Sequence, residues 1–317
     1  MILQDLPRPF FVLAPMDDVT DTVFRRIIAS TAAPDLYFTE FVNVDGLQSP
    51  GREKLLPKLQ FTGVETPIIA QVWGKNPENY LRTAAEIKAM GFAGIDINMG
   101  CPAKPVVQNG CCSALINNRE LAGEILLAVR EGVGPDFPVS VKTRLGFGEV
   151  DLEWHKFLLS HKLNMLTIHG RTVREMSKVP AHWDIIGEIA QLRSSLAPDT
   201  LIVGNGDVES YTQGVQLAEQ YGLDGIMIGR GVFHDPYVFA KDSPWQNMSK
   251  QEKLDLYARH IRLFAETWGQ QAERKLVTLN KFCKMYVEGF PGAKELREQL
   301  MACESIAQLE ARVRSVL

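Results

Sequence analysis

Two glycine-bearing stretches, Gly204–Asp207 (GNGD) and Gly229–Gly231 (GRG), each follow a short apolar run, Leu201–Val203 and Ile226–Ile228. Glycines let a backbone approach phosphate oxygens closely, and Arg230 can pair with them. Either stretch alone reads equally well as a turn. Together, at successive strand ends, they point to a site for a phosphate-bearing cofactor or substrate. Upstream lies DINMGCP, Asp96 to Pro102, in which Asn98 ends an apolar run and Cys101 sits on a Gly-Cys-Pro turn. A lone cysteine is usually a small packing residue, and Cys111 and Cys112 are read that way, at a helix entry. A thiol on a turn at a reactive face can instead act as acid or nucleophile, and the position of Cys101 favours that role. Lys142 and His169 close two further runs, in VKTRLG and IHGRT. A lysine at the end of a buried strand is expensive unless it meets an anion, so the pair suggests a jointly held anionic or carbonyl-rich group. Gln71 offers an amide donor and acceptor to the same space.

These residues need elements to hold them. Strand candidates are 11–14, 36–40, 68–72, 94–98, 139–143, 165–169, 201–205 and 225–228, and helix-length amphipathic segments lie between them at 21–30, 77–90, 119–131, 153–162, 183–196 and 208–221. The stretch 41–66 has the weakest pattern, and a short helix is expected there. Eight strands with crossovers suit a (β/α)8 TIM barrel in an α/β chain. A doubly wound sheet is the rival, but it gives no reason for a polar or special residue at nearly every strand end. Here those ends are Pro15–Met16, Glu40, Gln71, Asn98, Lys142, His169, Asn205 and Gly229–Arg230, which share one mouth only if the sheet closes. Beyond Trp245 the strand pattern stops, and 250–268, 276–288, 293–302 and 305–316 read as helices. A catalytic barrel over 1–245 and a small helical domain over 246–317 are therefore expected.

Composition narrows the class. The chain has 317 residues, 45% hydrophobic and 23% charged, as in an ordinary globular protein. No apolar run reaches the ~20 residues needed to cross a bilayer, so no membrane partner is expected. The first ten residues lack the basic-then-apolar order of a secretory signal. Five cysteines, two of them adjacent, suit neither a disulfide framework nor a structural metal, and a cytoplasmic location fits. The net charge of −4 divides into −7 through Ser249 and +3 from Lys250 onward. A mildly basic tail on an acidic body could meet a polyanion.

Seven collinear motifs then stand together: APMDDVTDxxFR (14–25), TE (39–40), DINMGCPAK, SVKTRLG, IHGRT, GNGD and IGRG. As a set they resemble the tRNA-dihydrouridine synthases, closest in wording to the bacterial B branch. The motifs cover 11 to about 239, and the helical tail resembles the family's tRNA-binding domain. The resemblance implies an oxidoreductase with FMN as cofactor, NADPH as hydride donor and a uridine of tRNA as substrate; separately, a monomer is expected. It implies that Pro15, Met16 and Asp17 lie beside the flavin, that Gln71, Lys142 and His169 contact or approach the ring, and that Asn205, Gly206, Asp207, Gly229 and Arg230 hold the phosphate end. Asn98, Glu40, Arg144 and Arg171 would face the substrate, with Asn98 orienting the uracil. Cys101 would give a proton to C5 while hydride reaches C6. A thiol with an unperturbed pKa near ~8.5 is mostly protonated at neutral pH, which suits an acid. The alternatives are an FMN-dependent reductase or dehydrogenase of a free pyrimidine, and a tRNA-binding protein without catalysis.

Overall fold

The alternation of apolar strands with amphipathic helices closes into a parallel barrel in the computed structural model, which describes residues 3–269 and 276–316. Residues 1–2, 270–275 and 317 belong to the two expected segments and lie outside the described residues. The strands are β1 (Phe10–Leu13), β2 (Tyr37–Phe38), β3 (Val42–Asn43), β4 (Ile68–Trp73), β5 (Gly94–Met99), β6 (Val139–Arg144), β7 (Met165–His169), β8 (Leu201–Asn205) and β9 (Gly225–Ile228). They pair side by side in the order β1-β9-β8-β7-β6-β5-β4-β2, and β3 adds to the end of β4. A parallel bridge from Val12 to Leu36 completes the ring. The α/β barrel expected from the strand endings is the fold observed.

Alternation along each strand divides the core. Phe10, Val12, Phe38, Ile69, Met165, Val203 and Met227 belong to one buried cluster inside the barrel, and Leu3 joins it. Their sequence neighbours, such as Phe11, Leu13, Leu166, Ile202 and Ile228, join the larger cluster beneath the helices. Those helices are α1 (Thr22–Ala32), α2 (Val44–Leu47), α3 (Pro77–Ala89), α4 (Lys104–Gln108), α5 (Arg119–Val133), α6 (Leu152–Ser160), α7 (Trp183–Leu196), α8 (Tyr211–Tyr221) and α9 (Gly231–His234). Side-chain caps set several starts: Asp21 accepts from Phe24 N, Asp151 from Trp154 N and Ser210 from Gln213 N. Because Ser210 is the cap, α8 begins three residues after the expected Val208.

Two expectations about extent are corrected. The second strand was expected over 36–40, but its ladder covers only Tyr37–Phe38. Thr39 ends it, because the Thr39 hydroxyl accepts the Gln71 N–H at 3.0 Å and donates to the Glu40 carbonyl at 2.7 Å. The weak region 41–66 holds more than one short helix: α2 is followed by three 3-10 turns at Arg52–Lys54, Leu56–Leu59 and Gly63–Glu65.

The four tail helices are present as α10 (Lys250–Trp268), α11 (Val277–Tyr286), α12 (Ala293–Met301) and α13 (Ile306–Arg314). Ser249 and Glu252 form a capping box at the start of α10. The tail lies on α1: Phe24 stacks on Phe282 with ring centroids 4.9 Å apart, and the Trp268 indole N–H donates to Asp21 Oδ2 at 3.0 Å. Lys281 Nζ reaches the carbonyl of Asp18, in the loop after β1, at 2.6 Å. Residues of the tail and of the barrel's helical layer form one continuous apolar cluster. No described helix is long and apolar enough to cross a membrane.

Candidate active site

Parallel pairing sets the polar strand ends side by side. Asn98 is level with Lys142, Arg144 with His169, and His169 with Asn205. A pocket of about 520 Å³ opens over them, within the usual range for small-molecule sites. Nine of the eleven residues expected to hold a cofactor line it: Pro15, Met16, Lys142, His169, Asn205, Gly206, Asp207, Gly229 and Arg230. Gln71 lies beneath it, fully buried, and Asp17 lies to the side with its carboxylate paired to Lys58. The pocket also includes Met176, Ser177, Glu209 and His234, which sequence reading missed. Met176 and Ser177 belong to an irregular loop after β7 with no spacing signal. His234 follows the GRG stretch and could have been found from it.

Lys142 Nζ donates to Asn205 Oδ1 at 3.2 Å, and Asn205 Nδ2 donates to the Met227 carbonyl at 2.8 Å. Burial, with Arg144 nearby, pulls the Lys142 ammonium down to about 8, against the opposing charges of Asp96 and Cys101. His169 is held far below the ordinary imidazole range by burial and then by Lys142, Arg144, Arg171 and Arg230. It is therefore neutral. Arg171 Nη1 lies 3.3 Å from His169 Nε2. A guanidinium only donates, so Nε2 accepts and the imidazole proton sits on Nδ1.

Asp207, in the left-handed region at φ 53°, bridges two arginines: Arg171 through Oδ2 and Arg230 through Oδ1, the latter at 3.1 Å. A carboxylate repels phosphate, so its side chain serves to hold the arginines. Arg171 is almost fully buried and also donates to the Val179 carbonyl at 2.5 Å, whereas Arg230 is exposed beside the pocket. Gly229 shows what the glycines leave room for. A Cβ added there would meet only Ala14 Cβ at 3.6 Å and Met16 Sδ at 3.9 Å, so a side chain would fill pocket space, not protein.

Next to the pocket, the Cys101 loop is clamped from two sides. Asn98 Oδ1 accepts the N–H groups of Gly100 and Cys101, each at 3.0 Å, and Asn98 Nδ2 donates to Gln71 Oε1 at 3.0 Å. Arg144 donates Nε to the Gly100 carbonyl at 2.8 Å and Nη1 to the Thr172 carbonyl at 3.1 Å. Asn98 and Arg144, expected to face a substrate, are thus largely engaged in holding this loop. Glu40 is fully buried and accepts the Asp18 N–H at 2.7 Å. With Asp17 and Asp18 it forms a trio of carboxylates, which Lys58 neutralises in part.

The expectation of an unperturbed thiol is corrected. The Cys101 pKa is lowered to about 6, first by a hydrogen bond from the Cys112 thiol and then, against a burial penalty, by the Ala103 N–H and the charge of Arg144. Cys112 is buried, as expected of a packing residue, but it is also the partner of Cys101. Ser113 ties the two segments together, its hydroxyl donating to the Cys101 carbonyl at 2.8 Å.

The dihydrouridine synthase family model matches residues 12–317. A probable tRNA-dihydrouridine synthase of Staphylococcus aureus (strain COL) is 46% identical over 311 residues, covering 97% of this chain and 93% of its own. Probable tRNA-dihydrouridine synthase 2 of Bacillus subtilis (strain 168) is also 46% identical, over 97% of this chain and 94% of its own. Among solved structures, a 2-naphthoyl-CoA reductase complex superposes with a TM-score of 0.56 at 13% identity, over 72% of this chain and 49% of its own. A 6-hydroxypseudooxynicotine amine oxidase of Pseudomonas geniculata N1 does so with a TM-score of 0.56 at 12% identity, over 73% and 46%. These two likenesses concern the barrel fold.

Proposed function

Since this chain belongs to the dihydrouridine synthase family, we propose that it reduces the C5=C6 bond of a specific uridine in tRNA, with FMN as cofactor, NADPH as hydride source and Cys101 as proton donor. One observation carries the reading: a single barrel mouth holds a basic pocket with two glycine stretches and, at the adjoining strand end, a cysteine on a clamped loop. FMN in the pocket would supply the hydride that reaches C6 of the uracil. Arg230 and the backbone of the two glycine stretches would hold its phosphate, and the buried Lys142 ammonium would favour negative charge at the inner end of the pocket. Asn98 and Arg144 keep the loop in place so that Cys101 meets a base at one height. A base can reach that height only by leaving its stack, so recognition of tRNA would rest on shape and phosphates, shared by the rim and the helical tail.

The test is mass spectrometry of nucleosides from unmodified tRNA incubated with the purified chain and NADPH. A gain of two hydrogens on one uridine supports the reading. If a yellow, NADPH-reducible protein left tRNA unchanged but reduced a free pyrimidine, the substrate assignment would fail; a protein unable to bind FMN would sink the cofactor assignment.

Two further outcomes follow from the geometry. Gly229→Val is expected to fold normally, since the added atoms enter the pocket, but to raise the FMN Kd by about tenfold or more (~1.4 kcal/mol). Titration of the apoprotein with FMN, followed by fluorescence, checks it. An acid must be protonated to act, and with a pKa of about 6 the Cys101 thiol loses its proton as pH rises through that value. Single-turnover reduction of tRNA by pre-reduced protein should therefore decline above that pH. In Cys112→Ala the thiolate loses its main hydrogen bond, and the decline should move to higher pH. An unshifted profile would show that Cys112 does not tune the acid.

A further inference from the structure

We infer that Asp96, buried inside the barrel below the pocket, is a positioning residue for the Cys101 loop and acts on it through Gln71 and Asn98. Asp96 is fully buried. Its Oδ1 accepts the Ser140 hydroxyl at 2.6 Å and its Oδ2 accepts Gln71 Nε2 at 2.7 Å. Burial raises its pKa to about 6, against the hydrogen bonds from Ser140 and Gln71 and the charge of Lys142, so the group is a carboxylate at neutral pH. A carboxylate only accepts. Gln71 must therefore turn its NH2 toward Asp96 and its carbonyl oxygen toward Asn98. Asn98 in turn must donate to Gln71, which reserves its own oxygen for the N–H groups of Gly100 and Cys101.

The relay thus has one sense. Reversing the Gln71 amide would turn Asn98 as well, and its NH2 would then face two backbone N–H groups, donor against donor. Asp96 is the member that forbids the reversal, and it touches neither the loop nor the pocket. In Asp96→Asn the side chain presents an NH2 as well as an oxygen, so both senses of Gln71 become acceptable. Loosening of the loop follows, and Cys101 moves away from the groups that stabilise its thiolate.

The inference rests on the reading of Cys101 as proton donor, but its test is made on the thiol itself. The pH profile of Cys101 alkylation by iodoacetamide would be followed by peptide mass spectrometry in the full chain as purified. The variants are Asp96→Asn, Asn98→Ala and the double variant. Each single variant should move the alkylation midpoint upward and slow alkylation at neutral pH by about threefold or more, with the double variant no slower than Asn98→Ala alone. Additive effects, or an Asp96→Asn profile identical to the parent's, would overturn the relay. Should Asp96→Asn fail to fold, Gln71→Met cuts the relay while leaving Asp96 its Ser140 partner. The same upward shift in that variant supports the inference and an unchanged profile overturns it. A parent chain that reduces no uridine would defeat the proton-donor reading while leaving this coupling intact.

Discussion

Cys101→Ala is expected to lower the rate of uridine reduction by about 10²- to 10⁴-fold, the usual weight of a positioned general acid, while the protein still binds FMN and is still reduced by NADPH. The two halves separate because Cys101 does not line the pocket formed by Lys142, His169, Asn205 and the glycine stretches. Its backbone is held by Asn98 and Ser113, and alanine keeps both contacts, so the loop retains its place when the sulfur is lost. Cys112 then lies near the vacated position, but its side chain is fully buried and its backbone sits in the left-handed region at φ 52°. It is a poor substitute. Pre-reducing the protein, adding unmodified tRNA and counting dihydrouridine in one turnover gives the chemical step without interference from the reductive half. A variant that completes the turnover at the parent rate removes Cys101 from the acid role.

The largest effect on stability is expected at Arg25 and Glu65. Both side chains are fully buried, with Nε 2.6 Å from Oε2. Arg25 also donates to the carbonyls of Thr20 and Gln60, each at 2.6 Å, and Glu65 accepts from the Thr22 hydroxyl at 2.7 Å and the Thr62 N–H at 2.8 Å. The cluster fastens α1 to the 3-10 turns before β4. Arg25→Met leaves a carboxylate in the interior without its cation, which costs about 3–5 kcal/mol. Adding Glu65→Leu removes the stranded charge and should restore much of the loss. Urea denaturation of the parent, the single and the double variant measures both steps. A single-variant loss below about 1 kcal/mol, as at a surface pair, would contradict the burial argument.

The same cluster explains why part of the fold was hidden in the sequence. Strand ends such as Lys142, His169 and Asn205 were legible because each polar residue follows an apolar run and the eight endings make sense only around one mouth. The region 41–66 has no such period. Its turns are held by Arg25, from a helix forty residues upstream of Glu65, and a long-range ion pair leaves no local pattern. Thr39 ended the second strand through its hydroxyl, and β-branched residues otherwise read as strand. At the site, residue types announced the pocket but not their partners. Asp207 read as a phosphate neighbour, yet its side chain is spent on two arginines. Cys112 read as packing because its contact with Cys101 depends on how two segments cross. Asp96 opens the DINMGCP stretch with no role of its own legible there, since nothing near it in sequence tells that Gln71 and Ser140 converge on its carboxylate.

The way the tail lies on α1 has a consequence for how such a chain can be taken apart. The change from strands to helices after residue 245 invites a cut there, but the cut would strip Phe282 from Phe24 and Trp268 from Asp21. Asp21 also caps α1, and the loop that precedes it carries Pro15 and Met16 into the pocket. A shortened chain would therefore lose the shape of one pocket wall together with its tail helices, and a defect in such a chain could not be assigned to either. The two segments are successive in sequence but share one apolar cluster, so a cut between them exposes apolar surface on both.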